Sequence, residues 1–226
     1  MPASKIWYCL ECGDYSFSPP ERQSSKLRGT WICDVCQLEG VVDLDATPNR
    51  RLTAMARDIQ DEWPSGRFDD DRPYYRPLNY LLKTLRLAKG FINVATESMD
   101  GFFLGVLALK QTEPDIEQRV IIWHPQRLYQ DFGDLMDHST IVKGYERREN
   151  YISRGLLIAT VSRVHQKLFI IDGCIAFKGS ANASLDAWTG QGNLIEFVTD
   201  PHDIQKLNRR YFARYMAKKR TGSNDV

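Results

Sequence analysis

Residues 165–182 read His165-Gln166-Lys167-Leu168-Phe169-Ile170-Ile171-Asp172-Gly173-Cys174-Ile175-Ala176-Phe177-Lys178-Gly179-Ser180-Ala181-Asn182. Two β-rich runs flank Asp172-Gly173, a pair that suits a two-residue hairpin because such a turn needs φ > 0 at both central positions. The chain is therefore expected to reverse there and bring Gly179 to Asn182 back beside the start of the first strand. Side chains alternate along a strand, so His165 and Lys167 project from one face. Gly179 allows close approach of backbone to a ligand, while the Ser180 hydroxyl and the Asn182 amide offer donors to oxygen atoms. A titratable nucleophile beside several donors is the chemistry of a phosphate site.

Working outward, strand and helix patterns alternate. Apolar spacing predicts helices over 50–62, 79–89, 99–110, 126–136 and 203–219. Strands are predicted over 91–95, 119–123, 156–161, 164–171, 174–177 and 194–199, with a short helix after Asn182. This order implies an α/β fold, a mixed β-sheet flanked by helices. Domain boundaries follow from the breaks: a small N-terminal unit over 1–46, a helical linker over 47–77 and the α/β domain over 78–226. Glu97, at the end of the first of these strands, is either a site residue or a surface carboxylate, the second being the preferred reading, and Cys174 is read as a buried core thiol.

The N-terminal unit holds four of the five cysteines, as Cys9-x-x-Cys12 and Cys33-x-x-Cys36 with twenty residues between the pairs. Two knuckles at this spacing fit a zinc ribbon, in which each pair of thiolates reaches one tetrahedral ion. Four thiolates leave no open position for water, so the expected Zn²⁺ is structural. A unit this short needs the metal to fold. Its 4 basic and 7 acidic side chains give −3, which points to packing on the main domain or docking to a protein partner rather than to reading bases.

Across 226 residues, 30 Lys+Arg against 29 Asp+Glu leave a formal +1, which exerts no global pull on nucleic acid or an anionic membrane. The longest apolar run, residues 102–109, is far below the ~20 residues of a membrane span. With no leader-like start, the composition suits a cytoplasmic protein without membrane contact. Basic residues gather locally: Lys206, Arg209, Arg210, Arg214, Lys218, Lys219 and Arg220 lie in one helix with no acid among them. That face is either merely solvated or a track for a phosphate backbone, with Arg163, Arg209 and Arg210 as candidate substrate-binding residues beside Gly179.

Residues 165–182 also match H-x-K-x4-D-x6-G-S-x-N at every fixed position, and in this the chain resembles the phospholipase D superfamily. Among its branches it looks most like the short nuclease type, with one motif per chain and a homodimeric active site. The resemblance implies a phosphodiesterase that uses no catalytic metal. His165 would attack phosphorus and form a phosphohistidine. Lys167, Ser180 and Asn182 would stabilise the non-bridging oxygens, and Asp172 would have a structural or orienting part. A second histidine must protonate the leaving oxygen. His124, His138 and His202 lie in no H-x-K context, so it is expected from a second copy of the chain. Nucleases of this type usually carry an orienting Glu about ten residues beyond the Asn. Here Gly192 stands near that place, and either Glu196 replaces it by a shifted register or the carboxylate is absent. A nucleic-acid substrate, a homodimer and a place in prokaryotic antiviral defence are the implied reading. The alternatives are a phospholipase D-type lipid hydrolase and a catalytically idle scaffold subunit, bound into a larger complex through the ribbon.

Overall fold

The computed structural model describes residues 5–23, 31–44, 49–68, 75–110, 116–123, 157–161, 165–190 and 192–220. The helix expected over 126–136, together with His124, His138 and Arg163, lies outside the described residues. Ten short strands run through the described chain: β1 (Trp7–Cys9), β2 (Tyr15–Ser16), β3 (Trp31–Ile32), β4 (Glu39–Asp43), β5 (Phe91–Thr96), β6 (Glu117–Trp123), β7 (Leu157–Val161), β8 (Lys167–Ile171), β9 (Ile175–Gly179) and β10 (Ile195–Val198). The helices are α1 (Arg50–Glu62), α2 (Tyr75–Leu87), α3 (Gly101–Lys110), α4 (Leu185–Thr189), α5 (Pro201–Asn208) and α6 (Arg214–Arg220). A π-helical turn, Arg209–Ala213, joins the last two.

The main sheet has the order β10-β9-β8-β5-β6-β7. β5, β6 and β7 are parallel, and β8, β9 and β10 are joined antiparallel. This is the mixed sheet that the alternating pattern implies. Every residue of β5 is buried, as a strand covered on both faces requires. On one face Ile92, Val94, Phe169, Ile171 and Phe177 meet α1, α2, α3 and Trp188 of α4. On the other, Phe91, Ala95, Ile121, Leu168 and Ile170 meet Phe212 and Met216 of the C-terminal helix together with Ile6, Tyr8 and Tyr15. The N-terminal strands, in the order β2-β1-β4-β3, thus share the covering of this second face.

Local chemistry sets most boundaries. Asn49 caps α1 by accepting from Leu52 N at 3.1 Å, and Asp200 caps α5 from Asp203 N at 2.9 Å. Pro201 follows Asp200 at N1, where its missing N–H costs nothing, so α5 begins two residues earlier than its apolar spacing suggests. Likewise α2 begins at Tyr75 rather than 79 because Pro77 sits in the first turn, which tolerates proline.

The hairpin departs from expectation by one residue. Lys167 pairs with Gly179 and Ile171 with Ile175, so the reversal takes Asp172, Gly173 and Cys174. Asp172 and Gly173 do adopt the positive φ that a primed turn needs, at 51° and 64°. Cys174 N closes the turn onto Ile171 O at 2.9 Å, but Cys174 is left as a third loop residue.

Candidate active site

Lys167 opens β8 and by alternation lies on the same face as Phe169 and Ile171, the face covered by α1 to α4. Ala95 pairs with Leu168, so Thr96 and Glu97 run out beside the start of β8. The Lys167 ammonium donates to Glu97 Oε2 at 2.9 Å and to the His165 carbonyl at 3.0 Å. The lysine side chain is only 12% exposed and the glutamate 29%, so this pair is partly withdrawn from water. His165 itself is exposed. Thr96 is fully buried, and its hydroxyl lies 2.8 Å from Ser98 O, 3.4 Å from Asn182 Oδ1 and 3.0 Å from Ala183 N, which donates to it. With Oδ1 turned to Thr96, the Asn182 amide directs its N–H donors away from it. The end of β5 thus meets both ends of the motif: Lys167 through Glu97, and Asn182 through Thr96. Glu97, weighed from the sequence as a surface carboxylate or a site residue, is thus brought against Lys167.

The other motif residues lie elsewhere or are otherwise engaged. Asp172 is 1% exposed and sits at the far end of β8, five residues or roughly 17 Å of strand from Lys167. It accepts from Gly90 N at 2.9 Å and Phe91 N at 2.8 Å on Oδ1, and from Lys89 N at 2.9 Å and Asn49 Nδ2 at 3.1 Å on Oδ2. This carboxylate ties the hairpin to the entry of β5. The Ser180 hydroxyl donates to Asn193 Oδ1 at 3.1 Å and accepts from Leu194 N at 2.9 Å, which fixes the turn before β10. Gly179 is required by that same turn: a Cβ there would lie 1.9 Å from Leu194 O. Its close approach is to backbone, where the sequence suggested a ligand.

Glu196 is not brought to the histidine. It pairs across the sheet with Lys178, one residue out of phase with Gly179 and Lys167, and so faces the opposite side. Its carboxylate meets Lys178 Nζ at 2.8 Å and Arg67 Nε at 2.6 Å. The Lys178 contact, with Arg67 behind it, holds the carboxyl below the ordinary glutamate range. Arg209 also lies away from the motif. Its Nε is 3.2 Å from Asp14 Oδ1 in the ribbon, and it lines a cleft of about 190 Å³ with Trp7 and Asp34. Arg210 lies 5.0 Å from the Tyr211 ring centroid. Charge counting along the helix could not show that one of these arginines is spent on the ribbon.

The four N-terminal cysteines converge as their spacing implies. Their Sγ atoms all lie within 4.8 Å of one another, with Cys9–Cys36 at 3.7 Å and Cys12–Cys33 at 3.6 Å. These cysteines form no disulfide. Tetrahedral thiolates about 2.3 Å from a zinc ion stand about 3.8 Å apart, so the cluster fits a metal such as zinc. The two knuckles are built alike: Gly13 N bonds to Cys9 O and Gln37 N to Cys33 O, each at 2.9 Å. Gly13 and Gln37 each have positive φ, 73° and 59°. The first was signalled by glycine; the second carries a side chain and left no such mark in the sequence.

No protein-family model matches the chain, and no curated protein matches it. Among solved structures the chain is similar to NUC of Salmonella typhimurium, described as a phospholipase D family member, with 16% identity over 59% of this chain and 83% of that one at a TM-score of 0.45. It is similar to NucT from Helicobacter pylori, with 18% identity over 64% and 91% of the two chains and a TM-score of 0.48. It is also similar to phosphatidylserine synthase of Haemophilus influenzae, with 14% identity over 60% and 36% and a TM-score of 0.42.

Proposed function

We propose that the chain is a phosphodiesterase of the phospholipase D type, a nuclease that cuts DNA or RNA without a catalytic metal. The observation that supports it is the Lys167 ammonium, held between Glu97 and the backbone of the exposed His165 at the start of the strand that carries the H-x-K motif. An anchored cation beside an exposed imidazole is what in-line attack on a phosphodiester requires. In this reading an imidazole nitrogen of His165 forms a bond to phosphorus as the bond to the leaving oxygen breaks, and a histidine from a second copy of the chain gives that oxygen its proton. Water, deprotonated by the same second histidine, then displaces His165 and releases the phosphate monoester. Lys167 and the Asn182 amide donate to the non-bridging oxygens throughout. Asp172 and Ser180 act on the framework: one holds the hairpin to β5 and the other holds the turn before β10. The four cysteines carry a structural zinc. A homodimer, a cytoplasmic setting, a partner complex through the ribbon and a role in antiviral defence complete the proposal.

The test is cleavage of single-stranded DNA, duplex DNA, RNA and phosphatidylcholine vesicles, with EDTA added at the start of the assay to hold free Mg²⁺ negligible. Cleavage of nucleic acid by wild type and its loss in His165→Ala is the expected result. Hydrolysis of lipid alone would assign the site to the phospholipase reading. No cleavage of any substrate, or equal cleavage by His165→Ala, would refute the proposal.

A further inference from the structure

We infer that Glu97 is the positioning residue of this site: it aims the Lys167 ammonium at substrate. The inference rests on the phosphodiesterase reading for its substrate, but its structural content is independent of it. A lysine ammonium has three N–H donors and no acceptor. Two are used, one on Glu97 Oε2 at 2.9 Å and one on the His165 carbonyl at 3.0 Å. Tetrahedral nitrogen then fixes the direction of the third, which is the donor left for a phosphate oxygen. Without Glu97 the ammonium would sit on a flexible four-carbon stem held by one backbone acceptor. Because Lys167 also binds the carbonyl of His165, the carboxylate constrains the backbone that carries the nucleophile. The contact joins residues 70 positions apart and is made possible by the antiparallel pairing of β5 with β8.

The cost of this arrangement is a negative charge beside an anionic substrate. That gives the carboxylate a signature that mere scaffolding lacks. Removing it should improve attraction of substrate to the lysine while spoiling the aim, so affinity and turnover should move in opposite senses. A misplacement on the order of 1 Å at a reacting centre costs about 10²-fold in rate.

The experiment compares wild type, Glu97→Gln and Glu97→Asp in steady-state nuclease assays, with ¹⁵N-lysine-labelled protein for NMR of the side-chain ammonium groups. In Glu97→Gln, kcat is expected to fall about 10- to 100-fold with KM unchanged or lowered, and Glu97→Asp to recover part of kcat. In wild type, a slowly exchanging ammonium signal, assigned by its loss in Lys167→Met, is expected and should vanish in Glu97→Gln. An unchanged kcat in Glu97→Gln would overturn the inference, and so would a raised kcat, which would mark the carboxylate as masking the lysine. Persistence of the ammonium signal in Glu97→Gln would overturn it whatever the kinetics. Should wild type cut no phosphodiester while the signal still depends on Glu97, the anchoring of Lys167 stands and the phosphodiesterase reading falls.

Discussion

Asp172 shows how far a motif residue can lie from the other residues of its motif. It is buried and accepts four hydrogen bonds from three backbone amides and Asn49 at the end of the sheet remote from Lys167. Asp172→Asn replaces one acceptor oxygen by an NH₂ that must face donors already aimed at it. Bonds to a charged acceptor are worth about 1.5–3 kcal/mol each, and buried donors left unpaired add to the loss. Asp172→Asn should therefore destabilise by about 3 kcal/mol or more in urea unfolding, while the fraction still folded keeps its kcat. A collapse of kcat at unchanged stability would place Asp172 in the reaction instead. Its neighbour Cys174 gives a second prediction. Burial, reinforced by the Asp172 carboxylate, pushes this thiol up to about 11. Only the thiolate is alkylated, so the iodoacetamide rate at Cys174 should climb about tenfold per pH unit from pH 8 to 10. An ordinary thiol, with a pKa near 8.5, would level off over that range.

Between elements, what decides the site is register. The apolar periodicities showed the helices and strands, and the H-x-K spacing singled out the strand of the candidate site, because both are local patterns. Glu97 could be weighed from the sequence as a site residue but not preferred over a surface carboxylate, since its meeting with Lys167 depends on how β5 pairs with β8 and not on anything near residue 97. Glu196 failed for the complementary reason. The sequence places a carboxylate beyond Asn182, but the pairing of Ile195 with Gly179 turns Glu196 to the other face, onto Lys178. Ser180 looks like a phosphate donor in a linear motif, and only the turn at Asn193–Leu194 reveals that its hydroxyl is engaged there. The same turn makes Gly179 a test of the β9–β10 junction. In Gly179→Ala the new methyl would collide with Leu194 O at 1.9 Å, at a φ of 155° that side chains avoid. Backbone must move to relieve it, so the variant should lose β9–β10 pairing. Amide hydrogen exchange at Glu196 and Val198, whose N–H groups face β9 while Phe197 N bonds to Gly66 O at 2.9 Å, should accelerate at least tenfold, with β5 and β6 remaining protected. Equal exchange in wild type and variant would show that the turn adapts at no cost.

At the scale of the whole molecule, the formal +1 conceals a division of labour: the first 46 residues carry −3 and the rest +4. Part of that charge difference is used at their contact, where Arg209 meets Asp14 and Arg119 donates to Leu10 O at 3.0 Å. Neutral groups complete it. Asn93 and Asn208 both donate to Gly13 O, at 2.8 and 3.0 Å, and Gln205 donates to Tyr15 O at 2.8 Å. Gly13 directly follows the first cysteine knuckle and its N–H bonds to Cys9 O, so the carbonyl that receives two buried amides is held in place by the geometry of the cysteine cluster. Around it Ile6, Tyr8 and Tyr15 pack on Phe91 and its neighbours on the second face of the main sheet. Burial of each such side chain contributes about 1.5–3 kcal/mol, and the ribbon strands alone are too short to keep that surface covered. A structural zinc site in a small unit contributes an apparent 10–16 kcal/mol of folding free energy. Loss of the metal should therefore reach beyond the ribbon and uncover the face of the sheet behind β5 and β8. Displacing the metal with an organomercurial, or replacing Cys33 by Ser, should lower the melting temperature of the entire protein by more than 10 °C and raise dye binding to exposed apolar surface. The proposed nuclease activity should fall in parallel, although Lys167 lies on the other face. A freely hinged docking unit predicts a different result, in which metal loss leaves the main transition and the activity where they were. One cooperative melting step that moves with metal content would identify the ribbon as a layer of the fold.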